Sequence, residues 1–330
     1  MLPVSLLAII TASFFLLALL PGDIPHAILG QIATPDAVAQ LKARLGLDQS
    51  VFERFYHYVG GLLHGSLGES YYTGQSVLGE IGSRLPSTLE LVIPGLLLAF
   101  VLGVGLGAVG GYYDRRAPDK ATRGLLTVAQ SVPDFLLALI LILIFFSTLH
   151  WLPGPEGQLS FADTPPPHVT GMYVIDALLA GDFSLAESAA RHLVLPVVTL
   201  GIVYSAVFGR TTRALMGGAL NSEYTRFGRA CGLSERRLVW NAVLAERTSL
   251  LTYAAILAAG IIGADAIIEI IFAWNGVGQW AVQAMLRQDL PSVEGYVVIV
   301  GTITVVTYLL LDLISSLLDP RIRFDVRHDA

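Results

Sequence analysis

Six apolar runs, each long enough to cross a lipid bilayer, dominate the sequence. A bilayer core about 30 Å thick takes about 20 helical residues, and unpaired backbone groups are too costly in lipid for any open structure. With 54% hydrophobic and 14% charged residues, the chain has too little polar material to cover a soluble globule. The sequence therefore predicts an all-α polytopic membrane protein with six transmembrane helices, at about 2–20, 89–112, 123–149, 191–210, 250–272 and 294–317.

The distribution of basic residues predicts the orientation of these helices. Fourteen of the twenty Lys and Arg residues lie in 112–123, 210–247 and 319–330, and cytoplasmic loops are enriched in such residues. We therefore expect both termini to be cytoplasmic. We also expect residues 2–20 to stay as an anchor and not to be cleaved as a signal peptide, because no small-x-small cleavage site follows them.

A polar segment separates the first predicted span from the other five. Residues 21–88 are too many for a tight loop, so we expect an extracytoplasmic subdomain there. It lies between the first transmembrane helix, within 1–20, and a core of five transmembrane helices, within 89–330.

Local signals predict two helices inside this subdomain. Residues 34–36, Thr-Pro-Asp, open an amphipathic helix that runs to about Leu45 and ends at Gly46. A second helix is predicted over 50–63. The subdomain is therefore expected to be helical.

Two of the predicted spans have features that affect packing. The glycines of 103–111 give the second span small-x-small faces, which let a neighbouring helix approach closely. Pro133 is expected to kink the third span, over 123–149, because proline removes a helical hydrogen bond and crowds the preceding turn.

The polar segment 211–247 interrupts the core between the fourth and fifth predicted spans, and its second part predicts a helix, a sharp turn and another helix. Asn221 or Ser222 can cap the first helix, and Gly232 ends it, since glycine accepts the left-handed conformation. Ser234 can cap a second helix that begins at Glu235. For an arbitrary membrane protein, a solvated loop that is basic because of its topology is the more usual explanation of such a segment.

The residues of this segment resemble the coupling loop, the EAA-type loop, of binding-protein-dependent ABC importers in the form found in dipeptide and oligopeptide permeases. Two positions depart from the family pattern: Gly228 stands where a second alanine is usual, and Ser249 where a proline is usual. Further matches are LPGD at 20–23, LGLD at 45–48 and RLPSTLEL at 84–91. The matching positions of the loop are Glu223, Tyr224, Arg226, Arg229, Ala230, Gly232, Leu233, Ser234 and Glu235.

This resemblance implies a B-type permease subunit of the dipeptide, oligopeptide and nickel group, with the type I ABC importer permease fold. It implies a location in the lipid bilayer of a prokaryotic inner membrane. The implied protein partners are a second homologous permease, two ABC ATPases and an external substrate-binding protein. The loop would transmit the movement of the ATPases, which use the ATP, and this subunit would bind no cofactor. Peptides are the implied cargo, and nickel, glutathione or oligosaccharide is the alternative.

Two acidic residues in the fifth predicted span are candidates for the translocation pathway. Asp265 and Glu269 are four residues apart, so they share one helix face. A charged side chain in a transmembrane helix is costly unless it faces water or a partner group. A structural role for Glu269 and a hydrogen bond from Asp265 to a neighbouring helix are the alternatives.

Enzymatic function is not expected. The sequence contains no phosphate-loop pattern, no Gly-x-Ser-x-Gly and no His-Glu-x-x-His. The single cysteine, Cys231, excludes an intrachain disulfide, and His26, His57 and His64 lack the spacing of metal ligands. A channel or a secondary transporter fits the composition but leaves the polar interruption unexplained, and nothing indicates a nucleic-acid partner.

Overall fold

The computed structural model describes residues 2–19, 24–30, 32–264 and 266–318. Within these residues the chain is helical, and its β-structure is limited to one isolated bridge between Glu69 and Ser76. The helices are α1 (Leu2–Ala18), α2 (Ile24–Leu29), α3 (Pro35–Arg44), α4 (Val51–Leu63), α5 (Val77–Tyr112), α6 (Ala117–Ser131), α7 (Asp134–Leu141), α8 (Tyr173–Leu179), α9 (Phe183–Asn221), α10 (Glu223–Ala230), α11 (Glu235–Ala245), α12 (Arg247–Ala264), α13 (Ala266–Ile271), α14 (Val277–Leu286) and α15 (Leu290–Leu318).

Helices α5 and α9 form the centre of the fold and pack against each other along much of their length. They contain 36 and 39 residues, so at 1.5 Å per residue they are about 54 and 58 Å long, far longer than a bilayer is thick. The predicted spans 89–112 and 191–210 are therefore only the apolar parts of longer helices. α5 also continues unbroken across residue 88, where the sequence placed the end of the external subdomain.

Glycine brings the two central helices into backbone contact, as the small-x-small pattern predicts. A Cβ atom on Gly103 would lie 2.6 Å from the Ser205 carbonyl oxygen, and one on Gly107 would lie 2.5 Å from that of Gly209. Real Cβ atoms do not approach backbone atoms so closely, and only glycine fits at these two positions.

At Pro133 the sequence predicts a kinked helix, but the structure shows two separate helices. The predicted bend is correct and the predicted continuity of the helix is wrong. α6 and the helix that starts with α7 are bent by 99°. Val132 and Pro133 are extended between them, in keeping with the bias against helical backbone before a proline. After α7, residues Ile142–Thr148 continue as a π-helix.

The number of membrane spans follows only in part from the helix lengths. Three helices among the described residues, α5, α9 and α15, are long and apolar enough to cross a membrane, and up to five spans result if α6 with α7 and α11 with α12 each count as one. α1 is apolar but has only 17 residues. The six-span count stays a prediction.

The two helices predicted within 21–88, α3 and α4, are confirmed with their caps. Thr34 accepts a hydrogen bond from the Ala37 N–H, and Gly46 after α3 has φ +65°. Ser50 and Glu53 form a capping box at the start of α4. Aromatic side chains of α4 then pack on Phe14 and Phe15 of α1, so α4 is fixed to α1.

Candidate functional site

The segment after α9 folds as the predicted helix, turn and helix. At the end of α10 the Leu233 N–H donates to the Gly228 carbonyl oxygen at 3.1 Å, and the Gly232 N–H donates to that of Arg229 at 3.1 Å. This pair of bonds is a Schellman motif, which requires a left-handed residue. Gly232 supplies it with φ +80°.

The serines predicted as caps occupy the cap positions, but their side chains do not cap. Ser222 precedes α10 and Ser234 precedes α11, with no capping hydrogen bond from either side chain. The Ser222 hydroxyl instead donates to the Ala219 carbonyl oxygen at 2.6 Å, and Thr225 donates to the same oxygen at 2.8 Å. These bonds tie α10 to the end of α9.

The second helix of the motif is buried on one side against the central pair. Leu238 and Ala242 of α11 are buried, and Ala242 packs with Met216 and Ala219 of α9 in one apolar cluster. Ala108 of α5 packs against the same cluster. Since α11 is followed after one residue by α12, with a bend of 55°, the motif is in direct contact with three long helices.

An ion pair joins the two short helices across the turn. Arg229 Nε lies 2.7 Å from Glu235 Oε1, and its second nitrogen lies 3.0 Å from Oε2, a bidentate arrangement. The hydrogen bonds from Arg229 lower the pKa of Glu235, and the partner carboxylate raises that of Arg229. The pair is part exposed, so its main effect is to fix the angle between the helices and not to add much stability.

Opposite the buried side, the motif presents a surface with both aromatic and basic residues. Phe227 is 72% exposed and Tyr224 is 50% exposed, three residues apart on one face of α10. All nine positions that the sequence singled out in this loop are at least partly exposed, and only Leu233 and Glu235 are half-buried. We call the exposed residues of 223–237 the docking face.

A cluster of ions that sequence reasoning missed holds the same end of α9. Arg213 Nε lies 2.6 Å from Asp119 Oδ1, and another nitrogen of Arg213 lies 2.9 Å from Asp114. Arg123 binds the same Asp119 carboxylate. The cluster joins α6 to α9, and the 94 residues between Asp119 and Arg213 explain why no local pattern revealed it.

The two acidic candidates of the fifth predicted span have different outcomes. Asp265 lies outside the described residues. Glu269 is 2% exposed, and its carboxylate accepts hydrogen bonds from Thr88 Oγ1 at 2.6 Å and from the Gln279 N–H at 2.7 Å. Glu269 thus joins α5 to the first turn of α14, which favours the structural alternative.

Comparison with protein-family models agrees with this architecture. Residues 99–324 match the family described as binding-protein-dependent transport system inner membrane component. Residues 2–92 match the associated N-terminal family, described as Binding-prot-dependent transport system membrane comp, N-term.

The chain belongs to the binding-protein-dependent transport system inner membrane component family.

Curated relatives cover almost the whole chain. The probable D,D-dipeptide transport system permease protein DdpB of Escherichia coli (strain K12) is 36% identical over 94% of this chain and 91% of its own length. The di/tripeptide transport system permease protein DppB of Pseudomonas aeruginosa (strain UCBPP-PA14) is 34% identical over 94% and 93%. The dipeptide transport system permease protein DppB of Alkalihalophilus pseudofirmus is 32% identical over 97% and 96%.

Family membership confirms several of the expectations from the sequence. The chain is a multi-pass inner-membrane permease subunit of an ABC importer, with the type I permease fold. A binding-protein-dependent importer of this kind works with ATPase and substrate-binding proteins.

The turn of the docking face gives a first prediction. Gly232→Ala should weaken the motif, because a left-handed backbone costs an alanine about 1–2 kcal/mol, whereas Gly232→Asn should cost less. Hydrogen exchange of the α10 amides should become about 5- to 30-fold faster in the alanine variant. Gly217→Ala is the control, since Gly217 is helical and a Cβ there meets nothing within 4 Å. Equal exchange in all three variants would contradict the role of the turn.

Proposed function

We propose that this chain forms part of a peptide translocation pathway and transmits ATP-driven movement to it through the docking face. The exposed motif of α10 and α11, bonded to α9 and packed against α5, is the observation that carries this proposal. Support for the substrate class comes from the relatives, which are named as D,D-dipeptide, dipeptide and di/tripeptide transport permeases.

In the proposed mechanism, the motif moves as a rigid lever. The Schellman turn and the pair Arg229–Glu235 hold α10 and α11 at one angle. A displacement of the docking face is then carried by the buried side of α11 into α9 and α5, and by the short connection at Glu246 into α12. Rigid-body movement of packed helices is a common way to couple distant sites.

The proposed assembly contains a second homologous permease, two ABC ATPases and an external binding protein. Both termini and the docking face lie in the cytoplasm, where the ATPases hydrolyse ATP. This subunit binds no nucleotide and no metal, and it catalyses no reaction. Within the pathway, Asp265 is the residue that we propose to contact cargo.

The docking role predicts that Phe227→Ala releases the ATPases. A large exposed aromatic residue at the centre of an interface contributes about 2 kcal/mol or more, which is a loss of affinity of at least about 30-fold. The measurement is affinity purification of the tagged full chain in mild detergent, with quantification of the recovered Walker-motif ATPases and permeases.

Phe52→Ala is the matched control. Phe52 is 76% exposed, close to the value for Phe227, but it lies on the external helix α4. The ATPases should stay with this variant and with the wild type. If Phe227→Ala retains them as well, or if the wild-type chain is recovered alone, the docking face has another role.

The substrate class has its own test. The binding protein recovered with the complex is titrated calorimetrically with dipeptides, tripeptides, Ni²⁺, glutathione and an oligosaccharide. Binding of the peptides alone supports a peptide importer. Binding of one of the other ligands instead would retain the importer and replace its cargo.

A further inference from the structure

A cavity of about 390 Å³ with both apolar and charged lining residues lies between helices α3 and α4 and helices α1 and α15, and the proposed function does not use it. Its volume is in the range of small-molecule sites. The residues that matter for its chemistry come from α3, α4, the following loop and α15: Arg44, Arg54, His57, Tyr58, Tyr71 and Glu294. We call it the interface cavity.

The inner wall of the interface cavity has two polar groups without partners. Glu294 is 6% exposed, and within the described part of the chain its carboxylate makes no hydrogen bond or ion pair. The Tyr58 hydroxyl is buried and also has no hydrogen-bond partner there. Burial, together with the nearby Glu294 carboxylate, raises the pKa of the Tyr58 phenol. Buried polar groups in folded proteins nearly always have partners, so a buried hydroxyl without one, beside an unpaired carboxyl group, requires an explanation.

The outer wall has the opposite charge. Arg44 is exposed and Arg54 is half-buried, and neither forms an ion pair with any described acidic residue. Arg54 and Glu294 both line the cavity. The cavity thus has a carboxyl group inside and two guanidinium groups near its mouth.

We propose that the interface cavity binds a zwitterionic group with a primary ammonium inside and a phosphate or carboxylate at the mouth. The ammonium N–H groups would donate to Glu294 and to the Tyr58 oxygen, and Arg44 and Arg54 would hold the anion. Guanidinium groups suit phosphate and carboxylate equally.

Two sources could supply this group. Phe14 of α1 lines the cavity, and α4 beside it exposes Phe52, Tyr56 and Leu63, the pattern of a helix at a membrane surface. The ethanolamine headgroup of a phospholipid therefore has access. A free dipeptide has the same two charges and can enter from water.

The experiment compares the two sources with the purified full chain. Native mass spectrometry measures retained phosphatidylethanolamine, phosphatidylcholine and phosphatidylglycerol after equal exposure to each. Calorimetry in phosphatidylcholine nanodiscs measures binding of glycylglycine. Preference for phosphatidylethanolamine identifies the headgroup, and binding of glycylglycine identifies the free zwitterion.

Variants connect either signal to the cavity. Glu294→Gln and Arg54→Gln should each reduce retention or affinity at least about tenfold, since one charge of the pair is removed in each. Lys42→Gln, on the same helix as Arg44, and Glu187→Gln, outside the cavity, should leave it unchanged. If Glu294→Gln fails to fold, Arg44→Gln and Arg54→Gln decide the question at the mouth. Two outcomes would overturn the proposal. In the first, all three lipids are retained equally and glycylglycine does not bind; in the second, the cavity variants leave the binding signal unchanged.

Discussion

Gly107→Ala is expected to prevent the chain from reaching a stable fold in the membrane, although it adds a single methyl group. The new Cβ would lie 2.5 Å from the Gly209 carbonyl oxygen, 2.6 Å from the Thr212 Cβ and 3.0 Å from the Arg213 backbone nitrogen. These atoms belong to the α9 backbone or are fixed to it, so no side-chain rotation relieves the clash. Helices α5 and α9 must therefore move apart. This movement disrupts the contacts that hold α10 and α11 against them.

The expected cost is at the upper end of overpacking, about 3 kcal/mol or more, because the clash is with backbone and lies at the centre of the longest helix pair. Thermal unfolding of the detergent-purified chain, followed by size-exclusion recovery, measures it. We expect a marked loss of recovered protein and of uptake.

Gly105→Ala is the matched control for this prediction. Gly105 lies two residues away on the same helix, and a Cβ there meets nothing within 4 Å. Alanine favours a helix over glycine by about 1 kcal/mol in soluble hosts, so this variant should be at least as stable as the wild type. Similar recovery of the Gly105 and Gly107 variants would show that the close approach of α5 and α9 is not needed.

The sequence predicted those features of the fold that have a local cause. The glycines of 103–111 indicated close packing, Thr34 and Ser50 indicated helix starts, and Gly232 indicated the turn of the docking face. Each depends on the residue's own conformational preference or on hydrogen bonds within a few positions.

The sequence did not predict what depends on distant contacts or on weak local signals. Helix α14 has ten residues and lies directly after a turn, so its apolar residues gave no periodic signal long enough to recognise. Hydropathy marked where α5 and α9 are apolar, but helices continue through polar segments when other elements bind them. For α5, those contacts include Ser87, whose carbonyl oxygen accepts a hydrogen bond from Trp274 Nε1–H at 2.8 Å.

Replacement of Glu269 has the second large expected effect. The local sequence singled out this residue, but its hydrogen bonds are to distant segments. In Glu269→Ala, the Thr88 hydroxyl and the Gln279 N–H lose their acceptor in a buried place. Each orphaned group costs about 1–3 kcal/mol, and the lost side chain leaves a cavity. The Val277 N–H still donates to Thr88 in this variant, so the start of α14 keeps one side-chain contact and loses the other, and the two orphaned groups with the cavity make about 3–5 kcal/mol of destabilisation the expected effect.

Comparison with two further variants separates a structural role from a role in the pathway. Glu269→Gln keeps one acceptor oxygen but places an amide NH2 beside a donor, so its stability should fall between the wild type and Glu269→Ala. Asp265→Asn should instead change the relative uptake of differently charged peptides while thermal stability stays near that of the wild type. If the Glu269 variants were stable and altered only uptake, its carboxylate would act on cargo and its hydrogen bonds to Thr88 and Gln279 would not hold in the working transporter. If they lose stability in the expected order, Glu269 is the buried acceptor that fixes α14 to α5, and the acidic pair predicted from one helix face has two separate functions.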